Sequence, residues 1–141
     1  MQVLVTGGLG YIGSHTSVLL LEKGYDLVIV DDLSNSNIEV LENIFRITGK
    51  KPVFEKIDLK DKKAVSTLFK NYDFNGIIHF AAHKSVNESV NYPEKYFSNN
   101  VGSLENIIAE TKLLDKPINF IFSSSCTVYG QADSMPIDES F

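Results

Sequence analysis

The chain has 141 residues, of which 43% are hydrophobic and 22% charged, and its formal net charge at pH 7 is −5. This length suffices for one domain with a sizeable core, and the dispersed negative charge argues against nucleic acid or an anionic membrane as a partner. No apolar run approaches the ~18 residues of a membrane span, and a first strand expected near residue 2 leaves no room for a signal peptide. Together with a single cysteine, Cys126, these features predict a cytoplasmic protein.

The first predicted element is an apolar strand over residues 2–6, which meets a glycine cluster and then a helical pattern. Gly7, Gly10 and Gly13 are spaced G-x-x-G-x-x-G, and Gly8 gives the related spacing G-x-G-x-x-G. In a dinucleotide-binding loop, one glycine makes the tight turn, one lets a pyrophosphate approach the backbone, and one packs the helix against the strand. The phosphates then lie at a helix N-terminus, where N–H groups favour negative charge. Glycine-rich turns also occur for backbone reasons alone, so the following segments must distinguish the two.

The second predicted strand, residues 26–30, ends in Asp31 and Asp32. Asp31 follows Gly13 by 18 positions, close to the ~20 expected of an acid that binds the adenosine ribose. A carboxylate there accepts hydrogen bonds from both ribose hydroxyls and repels a 2′-phosphate, which favours NAD over NADP. The alternative is a solvated strand end that leads into a turn. With the glycine loop at the right spacing, the sequence predicts NAD as the cofactor.

Helical and strand patterns alternate through the rest of the chain. Ser36 and Glu39 have the spacing of a capping box at the start of the second helix. Asp61 is placed to cap the third helix, and Pro93 suits the first turn of a long fourth helix. The apolar face of that fourth helix is formed by Phe97, Val101, Leu104 and Ile108. Further strands are predicted at residues 52–56, 75–81 and 118–123.

This alternation implies a parallel sheet with right-handed crossovers, and continuous apolar strands are typical of a sheet covered on both faces. We predict an α/β fold, a doubly wound parallel sheet of the Rossmann type, with residues 1–141 forming a single NAD-binding domain. Ligands of such sheets collect at the carboxyl ends of the strands. The candidate sites are therefore the segments that follow the predicted strands, residues 7–13, 31–36, 58–59, 80–84 and 123–127.

Five motifs lie along the chain in a fixed order: Thr6-Gly-Gly-Leu-Gly-Tyr-Ile-Gly-Ser-His-Thr16, Ile78-His-Phe-Ala81, Lys84-Ser-Val-Asn-Glu-Ser-Val90, Asn99-Asn-Val101 and Phe122-Ser-Ser-Ser-Cys-Thr-Val-Tyr-Gly130. In order and spacing they resemble the extended short-chain dehydrogenase/reductases, and within them the UDP-glucose 4-epimerase family. The resemblance implies a tightly held NAD that takes hydride from C4 of a UDP-sugar and returns it to the other face of a 4-keto intermediate. UDP-galactose and UDP-glucose then interconvert, and the intact enzyme is expected to be a homodimer.

The resemblance also assigns roles to residues at matching motif positions. Asp58 is the acceptor for the adenine amino group, and Asn99 contacts the cofactor. Ser125 is the catalytic hydroxyl, which binds the reacting sugar oxygen, and Lys84 lies near the nicotinamide, where it contacts cofactor and substrate. The complete set of cofactor-binding residues that the resemblance implies is Gly7, Gly10, Tyr11, Ile12, Gly13, Asp31, Asp32, Leu33, Asn35, Ser36, Asp58, Leu59, Phe80, Ala81, Ala82, Lys84, Asn99 and Ser123.

Each assignment has a plainer alternative. Asp58 could end a strand or cap a helix, and Lys84 could be a solvated loop charge. Asn99 could be a polar residue satisfied within a helix. Residues 123–125 could be an ordinary polar strand end.

Three further expectations concern residues that tempt a catalytic interpretation. His79, in an apolar strand, is expected to be a packed core histidine rather than a base. Cys126 is expected to be a small buried thiol rather than a nucleophile. No cluster has the spacing of a metal site, so no metal is predicted.

The chain departs from the family in lacking Tyr-x-x-x-Lys, the pair that supplies the general base; none of its six tyrosines has a lysine four positions later. We therefore expect an N-terminal part of such an enzyme, incomplete before the sixth strand and the substrate domain, and inactive alone. A 4,6-dehydratase of the same superfamily has Thr-Asp-Glu where this chain has Ser125-Cys126-Thr127, so the added acid and base of that chemistry are missing. Another nucleotide-sugar epimerase and a non-catalytic NAD-binding module stay open as alternatives.

Overall fold

The sheet of the computed structural model has five parallel strands, and the model describes residues 1–131 and 135–140. The strands are β1 (Gln2–Thr6), β2 (Asp26–Asp31), β3 (Val53–Lys56), β4 (Gly76–His79) and β5 (Asn119–Phe122). They lie in the order β3-β2-β1-β4-β5, and every neighbouring pair is parallel. This order reverses between β1 and β4, which confirms the predicted doubly wound sheet and creates a crevice at that point. Phe141, the last residue of the predicted domain, lies outside the described residues.

Helices cover both faces of the sheet. They are α1 (Tyr11–Glu22), α2 (Glu39–Thr48), α3 (Lys62–Asn71), α4 (Val86–Asn91), α5 (Pro93–Tyr96), a π-helical segment (Phe97–Gly102) and α6 (Ser103–Thr111), followed after β5 by a short 3₁₀ turn (Cys126–Tyr129). Across the described ranges 1–131 and 135–140, no helix combines the length and apolar character that a membrane crossing requires.

Alternating strand residues feed two separate cores, as expected when both faces of the sheet are covered. Leu4, Val28 and Val30 pack on one face with residues of α3 and α6. Val3 and Val5 pack on the opposite face with residues of α1 and α2. Because the sheet is fixed from both sides, the loops at its carboxyl edge project from a rigid base.

The predicted helix caps are partly confirmed. Asp61 caps α3, since its Oδ1 accepts hydrogen bonds from the N–H groups of Lys63 (2.9 Å) and Ala64 (3.2 Å). The predicted capping box at Ser36 is wrong: α2 begins at Glu39, whose N–H donates to Oδ1 of Asn37 at 2.9 Å and not to Ser36. The Ser36 hydroxyl instead donates a hydrogen bond to a carboxylate, as described below.

The predicted long helix after Pro93 is interrupted and rotated. Pro93 does begin α5, but the π-helical segment follows it, and the side chains of Phe97 and Val101 are exposed rather than buried. The buried residues of α6 are Ser103, Asn106 and Ile107. A π-turn contains an extra residue, so the face that a 3.6-residue period assigns to the core is turned away from it.

Candidate functional site

A cleft of about 890 Å³ lies at the carboxyl edge of the sheet, where the loops after all five strands meet. Every residue predicted to bind cofactor or substrate lines this cleft except Leu33. The Leu33 side chain packs against the core beside α1 and α2, and its backbone has a positive φ of 64°. The structure thus brings the predicted residues together, while their contacts with a ligand stay a prediction.

The glycine loop is built from close backbone contacts. Gly7 has a φ of +63°, and a Cβ there would lie 2.8 Å from the backbone nitrogen of Ala81. A Cβ on Gly13 would lie 2.2 Å from the carbonyl oxygen of Gly7, so α1 packs directly on the turn. Gly10 caps α1 without a side chain, and the first turn of α1 contains no acidic residue. The free N–H groups of that turn therefore present a site suited to an anion.

Asp31 is a buried carboxylate at the end of β2, with 8% of its surface exposed. Its Oδ2 accepts a hydrogen bond from the N–H of Leu9 at 3.1 Å. Its Oδ1 accepts from the N–H of Leu33 at 3.0 Å and from the hydroxyl of Ser36 at 2.6 Å. A carboxylate has about four acceptor positions, so Asp31 can accept one ribose hydroxyl as it stands and a second if Ser36 releases its bond.

The neighbouring Asp32 is more accessible and makes one loop contact, accepting from the N–H of Ser34 at 2.8 Å. Burial opposes its ionisation, but the hydrogen bonds from Ser34 and the positive charge of Lys60 outweigh that effect and lower the pKa of Asp32. Asp32 therefore favours its charged form, which makes this end of the cleft electronegative.

Asp58 follows β3 and lines the cleft. Its Oδ1 accepts from the backbone N–H of Lys60 at 2.9 Å and lies 3.0 Å from the Lys60 ammonium. The same ammonium lies 3.4 Å from Oδ1 of Asn99 on the π-helical segment. Asp58 Oδ2 has no hydrogen-bond partner within residues 1–131 and 135–140, so one oxygen is available to a donor on a ligand.

The opposite end of the cleft contains Lys84 and the three consecutive serines, residues 123–125. Ser123 continues the pairing of β4 and β5 by donating its N–H to the carbonyl of His79 at 3.1 Å. Ser125 caps the 3₁₀ turn: its Oγ accepts from the N–H of Thr127 at 3.3 Å and from the Thr127 hydroxyl at 2.9 Å. Since Ser125 acts as acceptor in both contacts, its own hydroxyl proton can be donated to a ligand.

His79 is a core residue, as predicted, with 1% of its surface exposed. Its Nδ1 lies 2.8 Å from the Thr6 hydroxyl, and its Nε2 has no partner among the described residues. Burial lowers the pKa of His79 to about 4. Cys126 contradicts its prediction because it is exposed, lying in the 3₁₀ turn beyond the last strand. No group of His, Cys, Asp and Glu in the described part of the chain is arranged to hold a metal ion.

Several residues of the cleft wall escaped the sequence analysis, among them Ser85, Tyr96 and Asn100. One signal was readable: Ser85 and Glu88 have the capping-box spacing, and Ser85 Oγ accepts from the N–H of Glu88 at 3.4 Å at the start of α4. Asn100 gave no comparable signal, since its position depends on the π-helical segment.

Comparison with known proteins shows which proteins this chain resembles. Residues 4–141 match a family model described as GDP-mannose 4,6 dehydratase. The UDP-glucose 4-epimerase uge1 of Schizosaccharomyces pombe is 49% identical over 142 aligned residues, covering 98% of this chain and 40% of the relative. The UDP-glucose 4-epimerase of Bacillus subtilis is 48% identical, covering 100% of this chain and 41% of the relative.

Solved structures agree with the sequence relatives. The UDP-glucose 4-epimerase of Bifidobacterium longum, solved in complex with NAD+ and UDP, superposes with a TM-score of 0.93 at 40% identity, over 99% of this chain and 41% of that one. The enzyme from Stenotrophomonas maltophila, with bound NAD and formylated UDP-arabinopyranose, gives a TM-score of 0.91 at 43% identity. The chain spans about two fifths of the length of the relatives that it matches.

Proposed function

The chain belongs to the extended short-chain dehydrogenase/reductase family that the GDP-mannose 4,6-dehydratase model describes, and from this premise we propose that it binds NAD. We further propose that it forms the cofactor-binding part of an enzyme that interconverts UDP-galactose and UDP-glucose. The relatives of known sequence named above are UDP-glucose 4-epimerases, which supports the second step.

One observation carries the proposal: the unblocked N-terminus of α1 and the buried carboxylate of Asp31 line the same cleft. The first suits a pyrophosphate, and the second suits a ribose hydroxyl. The glycine loop also supports the proposal, because the missing side chains at Gly7 and Gly13 let the turn and the start of α1 pack closely, where a Cβ would meet backbone atoms.

Each of these residues would then have its own role along the cleft. The N–H groups of the first turn of α1 bind the pyrophosphate, Asp31 orients the adenosine ribose, and Oδ2 of Asp58 accepts from the adenine amino group. At the other end, Lys84 contributes a positive charge and Ser125 donates its hydroxyl proton to the reacting sugar oxygen. Bound NAD would supply the hydride acceptor and donor at the sugar C4.

Epimerase chemistry is favoured over dehydratase chemistry by the residues before Val128. A dehydratase of this superfamily needs an added acid and base there, whereas this chain has Ser125-Cys126-Thr127. The general base is a separate matter: the printed sequence contains no Tyr-x-x-x-Lys. We therefore propose that the 141-residue chain does not epimerise UDP-sugars by itself, and that it functions in the reducing cytoplasm as part of a homodimeric enzyme.

Calorimetric titration of the purified chain with NAD and NADP tests the proposal. We expect NAD to bind. NADP should bind at least about tenfold more weakly, because its 2′-phosphate would approach the carboxylates of Asp31 and Asp32. Absence of NAD binding would refute the proposed function. An assay that detects UDP-glucose formed from UDP-galactose completes the test: turnover by this chain alone would show that its general base is not the expected tyrosine.

A further inference from the structure

Within the loop after β4, the backbone of residues 82–84 is hydrogen-bonded by one side chain of the described part of the chain. The backbone N–H of His83 donates to Oδ1 of Asn100 at 2.8 Å, and Nδ2 of Asn100 donates to the carbonyl of His83 at 2.9 Å. Among the described residues, these are the hydrogen bonds that the backbone of residues 82–84 makes. The amide of Asn100 therefore takes the place that a neighbouring strand would take, and it fixes the loop that presents Lys84 to the cleft.

The π-helical segment explains how Asn100 reaches this position. Consecutive residues of an α-helix diverge by about 100°, so two neighbours rarely face the same site. Here both Asn99 and Asn100 line the cleft, and Nδ2 of Asn99 donates to Oδ1 of Asn100 at 3.0 Å. Such turns inside helices occur frequently at functional sites.

A polar chain continues from this pair to the other wall. Oδ1 of Asn99 lies 3.4 Å from the ammonium of Lys60, which lies 3.0 Å from Asp58. One continuous set of side chains thus connects the loop after β4 with the loop after β3. Since β4 lies beside β5, whose end leads to Ser125, the loop held by Asn100 borders the reacting half of the cleft.

We propose that Asn100 is a positioning residue that holds the Ala82–Lys84 loop in the conformation in which it binds the nicotinamide half of the dinucleotide. The inference rests on the proposed function, since it assumes that NAD lies in this cleft. It goes beyond that function because Asn100 acts through the loop backbone and not by touching the reacting atoms.

Binding of two ligands distinguishes a positioning role of Asn100 from general damage to the protein. ADP fills only the adenosine and phosphate part of the cleft, whereas NAD also extends over the loop after β4. We expect Asn100→Ala to weaken NAD binding about tenfold, as expected when two hydrogen bonds of a binding loop are lost, and to change ADP binding less than twofold. The alanine adds no charge that would repel phosphate. An unchanged NAD affinity, or an equal loss for both ligands, would contradict the inference.

Asn91→Ala is the matched control. Asn91 also donates its Nδ2 to a backbone carbonyl, that of Asn87 at 3.0 Å, but it lies on α4 away from the cleft lining. We expect this variant to bind both ligands like the unaltered chain. A loss of NAD affinity in Asn91→Ala as large as that in Asn100→Ala would show that the effect is not specific to the loop, and would overturn the inference.

Amide hydrogen exchange of the unaltered chain without ligand gives a second test that needs no variant and no NAD. The His83 N–H should be protected because Oδ1 of Asn100 accepts it, while the neighbouring Lys84 N–H, which has no acceptor among the described residues, should exchange quickly. Equal exchange at the two amides would refute the positioning role of Asn100 without bearing on whether the chain binds NAD. Protection at His83 combined with no NAD binding would instead refute the proposed function, and with it the role assigned to Asn100.

Discussion

The hydroxyl of Thr6 on β1 and Nδ1 of His79 on β4 share a buried hydrogen bond of 2.8 Å directly beneath the cleft. The same hydroxyl accepts a hydrogen bond from the N–H of Ala81 at 3.4 Å, so it ties the two strands to a segment that lines the cleft. The imidazole stacks on Phe122 of β5, with ring centroids 5.8 Å apart. A protonated His79 would place an unpaired charge in this core, because Nε2 has no partner among the described residues.

This arrangement predicts acid sensitivity. His79 has a pKa of about 4 in the folded chain against 6.5 for an ordinary histidine. Below pH ~6.5 the unfolded state takes up a proton that the folded state refuses, so the free energy of unfolding falls as the pH decreases from ~6.5 towards ~4. We expect the free energy of unfolding to fall by about 2 kcal/mol between about pH 7 and pH 5. The full effect of the His79 pKa shift, reached below about pH 4, is about 3 kcal/mol. Urea unfolding at the two pH values measures it.

His79→Gln identifies the source of that loss. The variant removes the titrating group, so we expect most of the difference between about pH 7 and pH 5 to disappear, whatever its effect on stability at neutral pH. His15→Gln is the control, because His15 is exposed on α1. If His79→Gln retains the full pH dependence, another group is responsible.

Gly13 and Gly102 offer a matched pair for the glycine loop. A Cβ on Gly13 would lie 2.2 Å from the carbonyl oxygen of Gly7, whereas a Cβ on Gly102 would meet nothing within 4 Å. We expect Gly13→Ala to lower the free energy of unfolding by about 3 kcal/mol and to abolish NAD binding, since the helix must move away from the turn. Gly102→Ala should raise stability by about 0.5–1 kcal/mol, because alanine favours a helix. Chemical denaturation and calorimetry measure both, and equal effects of the two changes would contradict the packing argument.

Structural features that depend on residues close together in the chain could be predicted from the sequence. The glycine loop and Asp31 follow strands whose apolar character is independent of context, so fold and cleft could be predicted from spacing. The capping box at Ser36 failed because Oδ1 of Asn37 accepts the N–H of Glu39, while the Ser36 hydroxyl donates to the buried carboxylate of Asp31. Asn100 could not be found because a π-turn shifts the helical register, and Cys126 was misplaced because its burial depends on tertiary surroundings.

Variants of Asp31 and Asp32 test whether a specific ribose contact or general negative charge favours NAD over NADP. Asp31→Asn replaces one carboxylate oxygen by an NH₂ group, so the donor of Leu9, Leu33 or Ser36 loses its acceptor. We therefore expect about 1–3 kcal/mol of destabilisation and a weaker preference for NAD over NADP. Asp32→Asn removes the same charge one residue away but disturbs only the bond from Ser34, so its cost should stay near 0.5 kcal/mol. Titrations with both dinucleotides measure the preference. An equal loss of preference in the two variants would show that net charge, and not the contact of Asp31, discriminates against NADP.

Asp58 allows the adenine contact to be tested by chemistry at a single ligand atom. Adenine presents an amino group that donates to a carboxylate, whereas hypoxanthine presents a carbonyl in the same place, which a carboxylate repels. We therefore expect the unaltered chain to bind NAD about tenfold or more tightly than nicotinamide hypoxanthine dinucleotide. Asp58→Asn supplies an N–H that can donate to the carbonyl, so the two affinities should converge, mainly through tighter binding of the hypoxanthine analogue. Asp61→Asn controls for charge, because Asp61 caps α3 and does not line the cleft. If Asp58→Asn leaves the ratio of the two affinities unchanged, Oδ2 of Asp58 does not accept from the adenine amino group.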